Sequence, residues 1–188
     1  MNPIKQFFVL VLSLFLFQAV EAASESRLTF EPLFGIETAL VRFPEPSRYV
    51  TRTTYGARVL YGTTPLSGEL EVTEAQSRKD YPDLDQKVED KSQRLSLGVR
   101  STLPLGTYLG IYGRLGARAS QGETKVTTAG VSETHDNPLQ FDPYAGAGLQ
   151  FAFSNNFALN AGVTLIRNDD DHYDSQYTLG LTARFGNL

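Results

Sequence analysis

Apolar residues alternate with polar, glycine or arginine residues along this chain in about eight stretches of roughly ten residues each. Around 50–63, Thr53, Tyr55, Ala57, Val59 and Tyr61 share one parity, and Arg52, Gly56, Arg58 and Gly62 share the other. Around 92–103, Leu95, Leu97, Val99 and Ser101 oppose Arg94, Ser96, Gly98 and Arg100. Around 107–119, Leu109, Ile111, Leu115 and Ala117 oppose Tyr112, Arg114, Gly116 and Arg118. Successive side chains of a strand point to opposite faces, so each stretch predicts a strand with one apolar face and one face of charges set among glycines. The same pattern predicts strands over 33–43 (Phe34, Ile36 and Leu40 against Glu37), 66–75 (Leu66, Leu70 and Val72 against Glu69, Glu71 and Thr73), 141–153 and 157–167, with a last strand after 174.

The connections add an asymmetry. Turns at Thr64-Pro65, 104–106 and 154–156 are short, whereas the links 76–91 and 120–140 are long, the second with room for a hairpin around Ala129-Gly130. Short turns at one end and longer loops at the other are expected of a barrel entered from the periplasm. An even number of strands closes the sheet without an edge. The predicted fold is all-β: an eight-stranded antiparallel up-and-down transmembrane β-barrel with short periplasmic turns and longer extracellular loops.

Three features turn the apolar face outward, against the rival of a soluble barrel with a greasy interior. Lysines after the leader occur only at Lys79, Lys87, Lys91 and Lys125, in links or at a strand fringe, whereas a water-facing sheet carries lysine along its strands. Charges within the strands are almost all Arg and Glu, which suit packed, bidentate pairing. The charged face is rich in glycine, which makes room for long side chains in a crowded lumen. Near mid-strand on that face lie Glu37, Arg58, Glu69, Glu71, Arg100 and Arg114. On the lipid side, an arginine at the midplane would cost about 2–4 kcal/mol. Inside, these six residues are expected to form a structural charge network, with Glu37 beside Arg58, Arg58 near Glu69 and Glu71, and those near Arg100. Eight strands leave a lumen just wide enough for side chains, so the network is expected to plug the barrel. Tyr61, Phe151, Phe153, Phe157 and Phe185 are assigned to an aromatic girdle at the periplasmic strand ends.

Residues 1–22 read as a signal peptide: Lys5 precedes an apolar run from Phe7 to Phe17 that is too short to span a bilayer, and Val20-Glu21-Ala22 marks a cut before Ala23. Residues 23–188 then form the barrel domain. Removing the leader takes away Lys5 and Glu21 and leaves the net charge at −4, so nucleic acid is not an expected partner. The chain has no cysteine, which agrees with export without disulfides.

The final strand, Tyr177-Thr178-Leu179-Gly180-Leu181-Thr182-Ala183-Arg184-Phe185, together with the leader, the eight alternating segments and the charged lumen, resembles the small eight-stranded outer-membrane barrels of the OmpA transmembrane-domain and OmpX type. Phe185 departs from the family pattern in not being terminal, since Gly186-Asn187-Leu188 follow. The resemblance implies the bacterial outer membrane as location, outer-membrane lipid and lipopolysaccharide as surroundings, and the assembly machinery as a partner that reads the last strand. Fold alone does not choose among the family's adhesins, minor pores and lipid-modifying enzymes.

Candidate chemistry is sparse. His135 and His172 both fall in expected outer loops, His172 among Asp169, Asp170, Asp171, Asp174 and Ser175, without a motif that would make a nucleophile or acid–base pair. Asp169 to Asp171 lack the alternating ligands and glycine of a calcium loop. We therefore expect no catalytic, cofactor-binding or metal-binding residues. The expected role is that of a monomeric, non-enzymatic barrel with a structural or surface-contact function, offering loops 76–91 and 120–140 to an extracellular ligand. A narrow porin-like channel for ions or small solutes is the alternative, and a lipid-modifying enzyme the third reading.

Overall fold

In the computed structural model the described residues are 27–41, 47–63, 65–82, 85–168 and 172–187. The expected leader, its cut before Ala23, Thr64 and the run Asp169–Asp171 lie outside the described residues.

Eight strands follow one another: β1 (Arg27–Val41), β2 (Arg48–Gly62), β3 (Ser67–Tyr81), β4 (Gln86–Pro104), β5 (Leu109–Thr128), β6 (Val131–Ala152), β7 (Phe157–Arg167) and β8 (Tyr173–Asn187). Each pairs antiparallel with the next, and β8 pairs back onto β1 to close the barrel. The alternation read from the sequence sets the two faces of this wall. Leu97 is 67% exposed, Leu115 61% and Phe34 59%, whereas Glu37, Arg58 and Glu71 are fully buried. The apolar residues therefore form the outer surface and the charges the interior. No helix among the described residues is long and apolar enough to cross a membrane; the apolar belt on this wall is what a barrel presents to lipid. Tyr61, Phe151, Phe153, Phe157 and Phe185 are all exposed near the strand ends where the chain enters and leaves, and the rings of Phe153 and Phe157 stack 6.2 Å apart. Tyr49, Tyr55, Phe141, Tyr173 and Tyr177 are exposed towards the far end.

The strands differ from the sequence expectation in length. β1 begins at Arg27, six residues before the expected start at 33. Pro32 hid this extension, because proline breaks a strand pattern. Here it is accommodated where the ladder to β8 skips from Phe30↔Ala183 to Leu33↔Gly180.

The expected loops 76–91 and 120–140 are, for the most part, strand. β3 runs to Tyr81 and β4 restarts at Gln86, in continuous register from Gln76↔Lys91 to Tyr81↔Gln86. β5 and β6 continue to Thr128↔Val131, with one register shift between Ser120 and Gly122, and meet in the two-residue turn Ala129-Gly130. Both turn residues have positive φ (49° and 82°), the primed geometry that matches strand twist in a tight hairpin. The longer extracellular loops are thus longer hairpins. Their outward side chains are charged because, beyond the apolar belt, they meet water.

Together β3–β6 form a four-stranded sheet that stands above the rest of the barrel. Its two tips are joined, since the Ala129 amide donates to the Asp85 carbonyl at 3.1 Å. On one flank the Arg48 guanidinium lies over the Tyr81 ring, 5.2 Å from its centre.

Candidate functional site: the charged lumen and its two mouths

Alternate residues of all eight strands fill the interior in two tiers. The tier nearer the chain termini is built around Arg58 on β2. Its Nη1 donates to Glu31 Oε1 at 2.7 Å, its Nη2 to Glu71 Oε2 at 2.6 Å, and its Nε to the same Glu71 oxygen at 2.9 Å. Glu69 lies 3.5 Å from Arg58 Nε and 2.5 Å from Arg114 Nη2, which also reaches Glu71 at 2.8 Å. Arg100 completes the tier, with Glu31 Oε2 at 3.1 Å and Asn160 Oδ1 at 3.3 Å. Asn160 Nδ2 donates to Glu31 at 2.7 Å.

Two tyrosines lock these arginines in place. The Arg100 guanidinium sits 3.7 Å from the Tyr112 ring centre, and that of Arg114 sits 4.8 Å from the Tyr144 ring centre. The Tyr144 hydroxyl donates to Glu69 at 3.0 Å. Both phenols press this close to the wall only because the wall is glycine there. A Cβ on Gly148 or Gly162 would overlap the Tyr112 phenol, and one on Gly98 or Gly116 would overlap the Tyr144 hydroxyl. Substituting Gly162 by alanine, whose Cβ would meet the Tyr112 hydroxyl first, is expected to destabilise the barrel by about 1–3 kcal/mol through overpacking. Tyr112→Ala in the same chain should relieve most of that clash, which urea unfolding of the single and double variants would show. Equal losses with and without Tyr112 would rule out this fit.

The second tier lies towards the far end. Glu37 on β1 takes both terminal nitrogens of Arg94 and also accepts from Arg118 at 3.4 Å, with Arg52 at 3.7 Å. Arg52 is paired in turn with Asp90 at 2.5 Å, and Asp90 accepts from the Thr124 hydroxyl at 3.0 Å. Arg118 donates to the Gln176 side chain.

The six residues singled out in the sequence, Glu37, Arg58, Glu69, Glu71, Arg100 and Arg114, all face the lumen and are buried, but not as one cluster. Glu37 is not beside Arg58. Antiparallel register pairs it with Arg52 and pairs Arg58 with Glu31, so Glu37 belongs to the second tier. Arg100 meets Glu31 and Asn160 in place of the expected Glu69 and Glu71.

Sequence reasoning missed Glu31, which preceded the expected first strand, and Asp90, which fell in an expected loop. Arg52, Arg94 and Arg118 carried the right parity but were excluded by their distance from mid-strand. With these included, the buried arginines among the described residues (52, 58, 94, 100, 114 and 118) equal the buried carboxylates (Glu31, Glu37, Glu69, Glu71, Asp90 and Asp142). The interior is charge-balanced, which keeps buried ions from standing uncompensated.

Cavities open at both mouths. At the far end a cavity of about 410 Å³ is floored by Arg52, Arg94 and Arg118 and walled by Asn137, His135 and Asp142 among others. At the opposite end a small pocket of about 50 Å³ lies beside Thr29, Arg100 and Thr182, and a wider one of about 570 Å³ opens between Arg27, Arg184 and the turn at 154–156. His172, directly before β8, is exposed. No cluster of metal-ligating side chains occurs among the described residues.

This architecture recurs in solved proteins. The chain superposes on Ail, the attachment invasion locus protein of Yersinia pestis, with a TM-score of 0.53 at 19% identity, covering 86% of this chain and 99% of that one. Neisserial surface protein A gives 0.57 at 13% identity, over 85% and 97% of the two chains. The N-terminal β-barrel domain of Pseudomonas aeruginosa OprF gives 0.55 at 16%, over 86% and 98%. No curated protein matches the chain in sequence. The family model for the outer membrane protein beta-barrel domain matches residues 7–185. A closed eight-stranded wall with lipid-facing side chains outside, balanced charges within and that family match lead to one assignment: the chain belongs to the outer membrane protein β-barrel domain family and resides in the bacterial outer membrane.

Proposed function

We propose that this protein is a closed, non-enzymatic barrel that works at its outer surface, with the lumen as a rigid plug and the raised β3–β6 sheet as the part offered to external partners. The observation that carries this reading is the double tier of interlocked charges: Arg58, Glu31, Glu69 and Glu71 in one layer and Glu37 with Arg94 in the next are all buried and paired. An ion crossing the lumen would have to break both layers at once. The sheet above is held by register up to its joined tips, which gives a partner a preformed surface. The attachment role in the name of Ail fits the same reading.

The second reading, a narrow channel, draws on the cavities at the two mouths. Planar-bilayer recording separates the two. The purified protein is expected to insert without a steady open level, and a reproducible ion current from most inserted barrels would overturn the closed reading.

A further inference from the structure

The six buried arginines and six buried carboxylates balance without Arg27 and Arg184, which stand half-buried at the mouth where the chain enters and leaves. Both share the parity of lumen residues: Arg27 is in step with Thr29 and Glu31 on β1, and Arg184 with Thr178 and Thr182 on β8. Register sets Thr29 opposite Arg184, so Arg27 is its diagonal neighbour, within reach of a long side chain. Like charges set this close repel, the more so where water is partly excluded.

Among the described residues, neither pocket at this mouth is lined by an Asp or Glu. The wider one, about 570 Å³, lies between Arg27, Arg184, Thr107 and the turn Ser154-Asn155-Asn156. The smaller one brings in Arg100, whose carboxylate Glu31 is already shared with Arg58. Arg184 donates to the Asn155 carbonyl at 3.2 Å and to Gln150 Oε1 at 3.1 Å, both neutral acceptors. The turn itself is fixed. Ser154 Oγ accepts from the Asn156 and Phe157 amides at 3.3 and 3.0 Å, and the Arg184 amide donates to the Asn156 carbonyl at 2.8 Å.

We propose that this periplasmic mouth binds a phosphate group, with the Arg27 and Arg184 guanidiniums as its charged donors and Thr107 and the 154–156 turn beside them. Guanidinium forks match phosphate oxygens, and an anion between the two arginines offsets their repulsion. The volume lies in the range of small-molecule sites, so the group fits with a substituent attached. Phe185 points outward beside Arg184, and Phe153 and Phe157 flank the turn on the outer face, which sets the pocket level with lipid headgroups. A phospholipid headgroup and a free periplasmic phosphate therefore offer the same chemistry here. The site lies at the opposite end from the raised sheet and stands whichever partner that sheet meets.

The test uses the full barrel in maltoside micelles, which contain no phosphate. Inorganic phosphate and dihexanoyl phosphatidylglycerol are titrated separately at constant ionic strength, following the NMR signals of the arginine Nε–H groups. Saturable shifts of the Arg27 and Arg184 signals are expected. Binding of the lipid about tenfold or more tighter assigns the site to a headgroup, and equal or weaker binding assigns it to the free ion. The double variant Arg27→Gln, Arg184→Gln should lose about tenfold or more in affinity, and Arg184→Lys, which keeps the charge but not the fork, part of that. Arg78→Gln, at the other end of the barrel, should bind as the parent does. Heat-modifiable gel mobility verifies that each variant has folded. Equal shifts with chloride in place of the probes would reduce the effect to charge screening and overturn the proposal. So would an affinity unchanged in the double variant, or signals that respond to neither probe.

Discussion

Replacing Arg58 by leucine is expected to lower the unfolding free energy of the barrel in vesicles by about 3–5 kcal/mol, the cost of leaving buried partners uncompensated. Arg58 is the shared partner of three carboxylates, Glu31, Glu69 and Glu71, and none of them is open to water. Arg114 still reaches Glu69 and Glu71, and Arg100 still reaches Glu31, so the tier is weakened without being emptied of positive charge. Adding Glu71→Leu should restore part of the loss, because an apolar pair of suitable volume can replace a buried ion pair at little net cost. Urea titration followed by far-ultraviolet circular dichroism reads both variants. A loss below about 1 kcal/mol for Arg58→Leu, a size ordinary for an exposed ion pair, would mean that the tier does not brace the barrel.

Glu37→Gln is expected to have the second-largest effect, about 3 kcal/mol, because it keeps the shape and removes the charge that neutralises a buried arginine cluster. Arg94 depends on this carboxylate for both terminal nitrogens, and Arg118 leans on it as well, whereas Arg52 keeps Asp90. The same urea titration measures it. The tiers share no ion pair, so the effects of Arg58→Leu and Glu37→Gln should add within a few tenths of a kcal/mol. Strong coupling between them would show that the lumen acts as one network. The bilayer recording should also remain silent for either single variant, since one tier still closes the lumen.

The fold was legible because a barrel wall writes itself into parity. Leu95, Leu97 and Val99 against Arg94, Gly98 and Arg100 show both that β4 is a strand and which side meets lipid. The glycines were legible as a sign of crowding, although not what crowds them: that Gly148 and Gly162 make room for Tyr112, and Gly98 and Gly116 for Tyr144, depends on neighbours across the lumen. Strand ends were harder. Above the membrane the outward positions need no longer be apolar, so Lys87, Glu89 and Lys91 read as a loop while their backbone stayed in register with β3 and β5. Glu31 was lost in the same way, behind Pro32.

Local alternation of polarity was enough to determine the number of strands and the side on which charge is stored, because both follow from a period of two along the chain, and the short turns determined their antiparallel order, because parallel neighbours need a long crossover. Pairing within the lumen was decided only by the closed structure. Arg94, Arg118 and Glu37 come from β4, β5 and β1, so no spacing in the sequence records that they meet. Which strand edge stays open above the barrel was decided there too, since it depends on β7 stopping at Arg167 while β6 continues past it.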